Sequence, residues 1–274
     1  MKLGIINGWS EGCIKYVSEK GLDAVEFCVN DKYDSAEFLS KANEIKSYSE
    51  KYGVSVGSIG RWGMKRIDEK GEAIQQAVQA DRNLIEAAAI IGCPVYNCGI
   101  NYTEEKSFYE NCKIAIEYLE NLIEYAEAKG VKVAVYNCRW DNFVVEPKAW
   151  EVVLSALPKL GIKYDISHCI YHGGNYLAEM RDWGNRFYHF HLKGCVCIDN
   201  DVYDDAPAGL DSINWKAAMD ILYTKNYNGM LSIEPHSKYW KGKKGQWEID
   251  YTINYFRPMI MPDNYEYDDN PYMP

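Results

Sequence analysis

Phe187-Tyr188-His189-Phe190-His191-Leu192-Lys193 alternates polar and apolar residues along most of its length. In an extended strand, successive side chains point to opposite faces. His189, His191 and Lys193 therefore share one face, and Phe190 and Leu192 the other. The apolar face suits packing beneath helices, which leaves the polar face for the inside of a sheet closed on itself. Two further segments have the same form, an apolar run ending in a potential ligand: Lys163-Tyr164-Asp165-Ile166-Ser167-His168 and Leu231-Ser232-Ile233-Glu234-Pro235-His236. The same parity turns Asp165 and Glu234 inward, beside Tyr164 and Ile233 pointing out. Three late strands thus send a carboxylate, an imidazole and a carboxylate toward one axis.

Working outward, short apolar runs alternate with longer helical patterns along the whole chain. The strands are read at 2–7, 24–29, 54–60, 94–99, 131–137, 162–167, 187–193 and 230–235. The helices between them are read to open near Ser10, Ser35, Glu72, Ser107, Glu146-Pro147, Tyr176 and Asn214, and a last one lies near 249–256. Several are expected to stop at glycine, in Lys20-Gly21, Tyr52-Gly53, Ile91-Gly92, Lys129-Gly130 and Leu160-Gly161. Glycine adopts the left-handed conformation that ends a helix without steric cost. Eight strand-helix units in one direction imply parallel strands, and an α/β (βα)8 barrel fits the count and the length of 274 residues. An open doubly wound sheet is the alternative, but no GxGxxG follows the first strand. One barrel over 1–257 is expected. An acidic, Tyr- and Pro-rich tail at 258–274 is expected to lie over the surface or a partner subunit of a homo-oligomer, or to be disordered.

Hydrophobic residues make up 47% of the chain, which calls for a packed globular domain. The net charge of -10 repels phosphate backbones, so neither nucleic acid nor a membrane surface is an expected partner. The apolar run at the N-terminus is too short for a signal-peptide core, and a cytoplasmic location is expected. The nine cysteines are irregularly spaced, without a CxxC pair, and are expected to be reduced. Cys195-x-Cys197 is read as small apolar residues near a strand, with metal or redox use the lesser alternative.

Two carboxylates buried near each other need a compensating positive charge. A divalent cation supplies it, and oxygen and imidazole ligands suit Mn, Co, Zn, Mg or Fe(II). An internal salt-bridge network without metal is the alternative reading of Asp165, His191 and Glu234. Glu26, inward by parity on the second strand, is read as one side of an internal ion pair, with a functional carboxylate as its alternative. Trp9, Trp62, Trp140, Tyr239 and Trp240 follow strand ends and so crowd one rim, where indole rings can stack on a carbohydrate-like or polyol substrate. Arg61, Arg139 and Lys193 can bind a phosphate or carboxylate, with surface ion pairing as the alternative for the arginines.

The D-x-x-H of Asp165 to His168, the H-x-H-L-K of His189 to Lys193 and the S-I-E-P of Ser232 to Pro235 resemble the sugar phosphate isomerase/epimerase family. Ala208-Gly209-Leu210-Asp211 before Asn214-Trp215 is similar to that family's glycine-rich turn. The family has a xylose isomerase-like TIM barrel and includes ketose 3-epimerases, inosose dehydratases and hydroxypyruvate isomerases. The resemblance implies a divalent metal held by Asp165, His191 and Glu234, with Glu234 also a base, His168 contacting substrate and Lys193 positioning or polarising it. It further implies a fourth ligand, a glutamate on strand five, where this chain has Tyr136. Ketose epimerases use two glutamates as opposed bases on either face of an enediolate carbon. A metal-dependent isomerase or epimerase of a sugar, sugar phosphate or polyol derivative is therefore expected, with Tyr136 as a substitute acid/base or ligand. A dehydratase or lyase needing one base, and a sugar-binding barrel with impaired catalysis, are the alternatives that Tyr136 raises.

Overall fold

The eight apolar runs form eight parallel strands closed on one another into a barrel in a computed structural model of the chain, which describes residues 1–199, 201–262 and 265. The strands are β1 Lys2–Ile6, β2 Ala24–Cys28, β3 Ser55–Gly60, β4 Val95–Cys98, β5 Lys132–Tyr136, β6 Gly161–Asp165, β7 Phe187–Leu192 and β10 Met230–Ile233. Around the barrel they follow chain order, and β1 closes on β10. An open sheet is therefore excluded. Strands β8 Val196–Ile198 and β9 Asp201–Asp204 form a small antiparallel hairpin after β7, an element not expected from the sequence.

The main core lies between strands and helices. Phe190, Leu192, Tyr164 and Ile233 are buried on the outward face of their strands, as the alternation requires. Helices 75–91 and 108–127 pack over it with Leu84, Ile85, Ala88, Leu119 and Leu122 fully or almost fully buried. Ser107 opens the second of these with a capping box, its hydroxyl on the Glu110 N–H and the Glu110 carboxylate on its own N–H. Inside, the floor is filled by Met230. A Cβ on Gly57 of β3 would stand 2.4 Å from the Met230 sulfur and one on Gly4 of β1 2.3 Å from its terminal methyl, so these glycines leave the room that the Met230 side chain fills.

Three local expectations are corrected. The helix expected from Ser35 to Tyr52 is two, Ser35–Ser40 and Ala42–Tyr52, meeting at Lys41. Gly53 and Gly92 end helices with positive φ, but Gly161 does not stop one. It begins β6, where the Tyr188 ring lies so close that a Cβ would fall 2.0 Å from it. Strand six ends at Asp165, so Ser167 and His168 lie in a short helix, Ile166–Tyr171. Of the expected 258–274 tail, 258–262 and 265 are described. There the Met261 N–H donates to the Tyr223 hydroxyl at 2.7 Å; the rest of the tail lies outside the described residues. No described helix is long and apolar enough to cross a membrane.

Candidate active site and metal centre

Strand register assembles the site. Asp165 on β6 is the direct partner of His191 on β7, and His191 is the partner of Ser232 on β10. Glu234 follows two residues after Ser232 and keeps its inward parity. His191 Nδ1 lies 3.1 Å from Glu234 Oε2 and 3.6 Å from Asp165 Oδ2. Asp165 divides its two oxygens. Oδ1 caps the helix that follows, accepting the Ser167 N–H at 2.9 Å and hydroxyl at 2.6 Å. Oδ2 is buried without a hydrogen-bond partner.

Below this trio, Glu26 on β2 accepts from both imidazoles of β7. Its Oε2 is 2.8 Å from His189 Nε2 and 2.8 Å from His191 Nε2. Glu26 thus fixes the His191 ring, leaving Nδ1 for Asp165 and Glu234. Lys163 and Lys193 complete the cluster. Lys193 Nζ is 3.3 Å from Asp165 Oδ2 and 3.4 Å from Glu234 Oε2, and Lys163 Nζ is 3.8 Å from Asp165 Oδ2.

The charges can be counted. Glu26, Asp165 and Glu234 bring three negative charges, and Lys163 and Lys193 two positive ones. Burial alone would lower the basicity of His191, but Glu26 and Glu234 more than offset it and hold its pKa up at about 10. The proton on His191 is therefore the third positive charge. Burial pushes the Asp165 and Glu234 carboxyls up. The Lys193 charge, joined by that of Lys163 at Asp165 and of His191 at Glu234, outweighs it and holds both below the usual range. His168, 3.2 Å from Lys193, has its pKa lowered to about 3 by burial and stays neutral.

A divalent ion fits these residues. Asp165 Oδ2, His191 Nδ1 and Glu234 Oε2 lie within 4.8 Å of one another, and one is an orphaned buried carboxylate oxygen. Carboxylate, imidazole and carboxylate suit Mg or a first-row divalent ion. Glu26, His189 and His191 also lie within that distance. The hydrogen bonds of Glu26 to both rings make it the outer partner that orients a ligand.

The cluster opens into a cleft of about 520 Å³ at the C-terminal ends of the strands, where barrels carry their chemistry. His168, His191, Lys163, Lys193 and Glu234 are among its polar lining, and Cys28, Trp62, Cys138, Trp140 and Val202 among its less polar lining. Asp205 and His236, paired at 2.8 Å, stand with Tyr171 on its wall. The family profile described as xylose isomerase-like TIM barrel matches residues 14–255. The chain belongs to this family.

Solved structures similar to this xylose isomerase-like barrel share its fold. The apo form of 3-keto-D-glucoside 4-epimerase YcjR from E. coli is 18% identical, with a TM-score of 0.74 over 94% of this chain and 99% of that one. D-psicose 3-epimerase from Clostridium cellulolyticum H10, solved with D-tagatose, is 16% identical, with a TM-score of 0.75 over 94% and 99%. Mannonate dehydratase from Streptococcus suis serotype 2 is 15% identical, with a TM-score of 0.74 over 94% and 93%. No curated protein matches the chain significantly.

Not every residue expected at the site of this xylose isomerase-like barrel is brought there. Trp9 packs edge-on against Phe27, Tyr33 and Phe38. Arg139 pairs with Glu146 at 2.8 Å, and Trp240 stacks on Trp247. None of the three lines the cleft. Arg61 is turned to the carbonyls of Val29, Asn30 and Tyr33. Tyr136 is fully buried, stacked on Trp62, and its hydroxyl donates to the Trp140 carbonyl at 3.0 Å. Burial pushes its phenol far above the usual range, so the expectation of an acid/base or ligand at Tyr136 finds no support here. Lys163 was legible by the parity that placed Asp165 inward. Asp205 and Tyr171 carried no comparable signal, because loop and helix-end side chains have no strand period.

Proposed function

We propose that the protein is a metal-dependent enzyme that moves a proton on a sugar, sugar phosphate or polyol derivative, as an isomerase or epimerase does. The observation that carries this reading is the convergence of Asp165, His191 and Glu234 from three adjacent strands on one point of the cleft. They would hold the divalent ion. When bound, it would make a hydroxyl and its neighbouring carbonyl more acidic.

The chain's own residues do the rest. Glu234, partly open to the cleft, is ionised at neutral pH and takes the proton from the carbon beside the carbonyl. Negative charge that develops on the substrate oxygens faces Lys193 and Lys163, whose ammonium groups are fixed before the reaction begins. His168, neutral and against Lys193, offers a hydrogen bond to a substrate hydroxyl. A second reading, a dehydratase or lyase, is favoured by one observation: Tyr136, at the place of the family's second base, is turned to the Trp140 carbonyl. Elimination needs one base.

The test is elemental analysis of the purified protein, then incorporation of solvent deuterium into a panel of ketoses and polyols. One divalent ion per chain and exchange that Glu234→Gln abolishes are expected. Exchange that survives Glu234→Gln removes that residue as the base, and a metal-free protein that cannot be loaded overturns the reading. Loss of water from the substrate in place of exchange at a retained carbon selects the lyase.

A further inference from the structure

Among the side chains that line the cleft, Trp140 is large, apolar and fixed in place. Its indole lies directly on Gly63: a Cβ there would fall 2.4 Å from Trp140 Cζ2. Gly63 also holds a φ of +68°, so the position needs glycine for both its backbone and the ring above it. Gly63 follows Trp62, whose ring stacks on Tyr136 at 5.3 Å with the planes 21° apart. The Tyr136 hydroxyl returns to the Trp140 carbonyl. Asn142 ties the same turn down, its amide on the Tyr136 carbonyl at 2.5 Å. Trp140 is thus held from below and from its own backbone.

It is nevertheless 51% exposed and lines the cleft. Among the described residues no aromatic ring stacks on it. A large apolar side chain that is fixed but uncovered, in a cleft that polar side chains also line, is the form of a ligand platform. The cleft's 520 Å³ falls within the range of about 300–1,000 Å³ that takes a drug-sized molecule, more than a single ring fills. Trp62 and Cys138 line the cleft with Trp140.

We propose that Trp140 is the floor of a second-ring subsite, and that the substrate is a glycoside whose first ring sits at the cluster and whose second ring, sugar or aryl, stacks on this indole. The inference rests on the carbohydrate reading above and adds to it the size class of the substrate. It also explains Tyr136: at a place where the family uses a glutamate, this chain has a residue that positions a binding surface. Rings with an apolar face gain from a flat indole without any hydrogen-bond match, so the subsite is selective for a ring but tolerant of its substituents.

Binding is measured by saturation-transfer NMR and titration calorimetry on the metal-loaded full chain. The probes are methyl, phenyl and glucosyl glycosides of D-glucose, D-galactose and D-mannose. For at least one sugar, a second ring should raise affinity about tenfold over the methyl glycoside, and Trp140→Ala should bring that ratio to about one. Tyr136→Phe, which deletes only the bond to the Trp140 carbonyl, should lower the ratio about threefold while the far-UV circular dichroism stays that of the parent. Gain with phenyl alone assigns an aryl ring, and gain with glucosyl a sugar. Methyl glycosides that bind as tightly as all others overturn the subsite and leave the carbohydrate reading standing. Binding of no probe also overturns the glycoside inference, and the deuterium-exchange panel then decides the carbohydrate reading separately.

Discussion

Two arcs of one rim, built by the same alternation of strand side chains, carry opposite chemistry. From β6 through β7 to β10, inward positions hold Lys163, Asp165, His189, His191 and Glu234, and the charges balance only with a proton or a cation among them. From β3 to β5 and the loops after them, the rim holds Trp62, Tyr136 and Trp140, joined by ring stacking and one hydrogen bond. The register pairs Tyr136 with Lys163, so the boundary between the arcs falls between β5 and β6. Position within a barrel therefore does not dictate chemistry. Parity decides only which side chains face the axis, and each strand then brings polar or aromatic groups of its own.

The largest effect is expected where the charged arc loses a ligand. Asp165→Asn keeps a side chain that can cap the following helix, so folding should survive. It removes the orphaned oxygen and leaves Lys193 and Lys163 with less compensation. Mn²⁺ affinity, followed by titration calorimetry, should fall by more than the roughly 100-fold that an outer-shell partner commands. An unchanged affinity would place the ion elsewhere and dissolve the contrast between the arcs.

The aromatic arc can be attacked in the reverse direction. Tyr136→Glu puts a carboxylate where the family resemblance implies one. In this chain the site is buried beside Trp62 and the Trp140 carbonyl, so the charge is desolvated and the ring stack is lost. Metal-free stability in urea should drop by about 3 kcal/mol or more. If Mn²⁺ affinity rises in this variant instead, strand five reaches the ion and the boundary between the arcs has been drawn one strand too late.

Much of the charged arc was legible because a strand has a period. Phe190 and Leu192 out with His189, His191 and Lys193 in followed from alternation alone, and so did Glu26 on β2. The eight strands were legible for the same reason. The sixth strand is read as far as Ser167, with His168 just beyond it, because Ile166 and Ser167 continue the alternating pattern. Asp165, however, caps a helix one residue later, and that capping bond wins over the pattern. The hairpin of β8 and β9 was missed because strands of three and four residues are too short to show a period. Trp9, Arg139 and Trp240 were assigned to the cleft by their distance from strand ends, which says nothing about direction. Neighbours decide that: Phe38 captures Trp9, and Glu146 captures Arg139.

The smallest effect sharpens the comparison from behind the charged arc, at a residue of β2 that does not line the cleft. Glu26→Gln keeps the shape of the side chain and removes its charge. Two consequences should separate. The ring of His191 loses its anionic anchor, and metal affinity near pH 9 should fall about 10–100-fold. Glu26 is also the foremost of the charges that hold the His191 pKa at about 10, and an ion can bind Nδ1 only after its proton leaves. In the parent, affinity should rise about tenfold per pH unit from about pH 6 to 9, all below that pKa. In Glu26→Gln the proton is held less tightly, so the rise should flatten within this range. A variant that loses affinity but keeps the full slope would show that Glu26 orients the ring without setting its charge. The third positive charge of the arc would then have to be sought on a group other than His191.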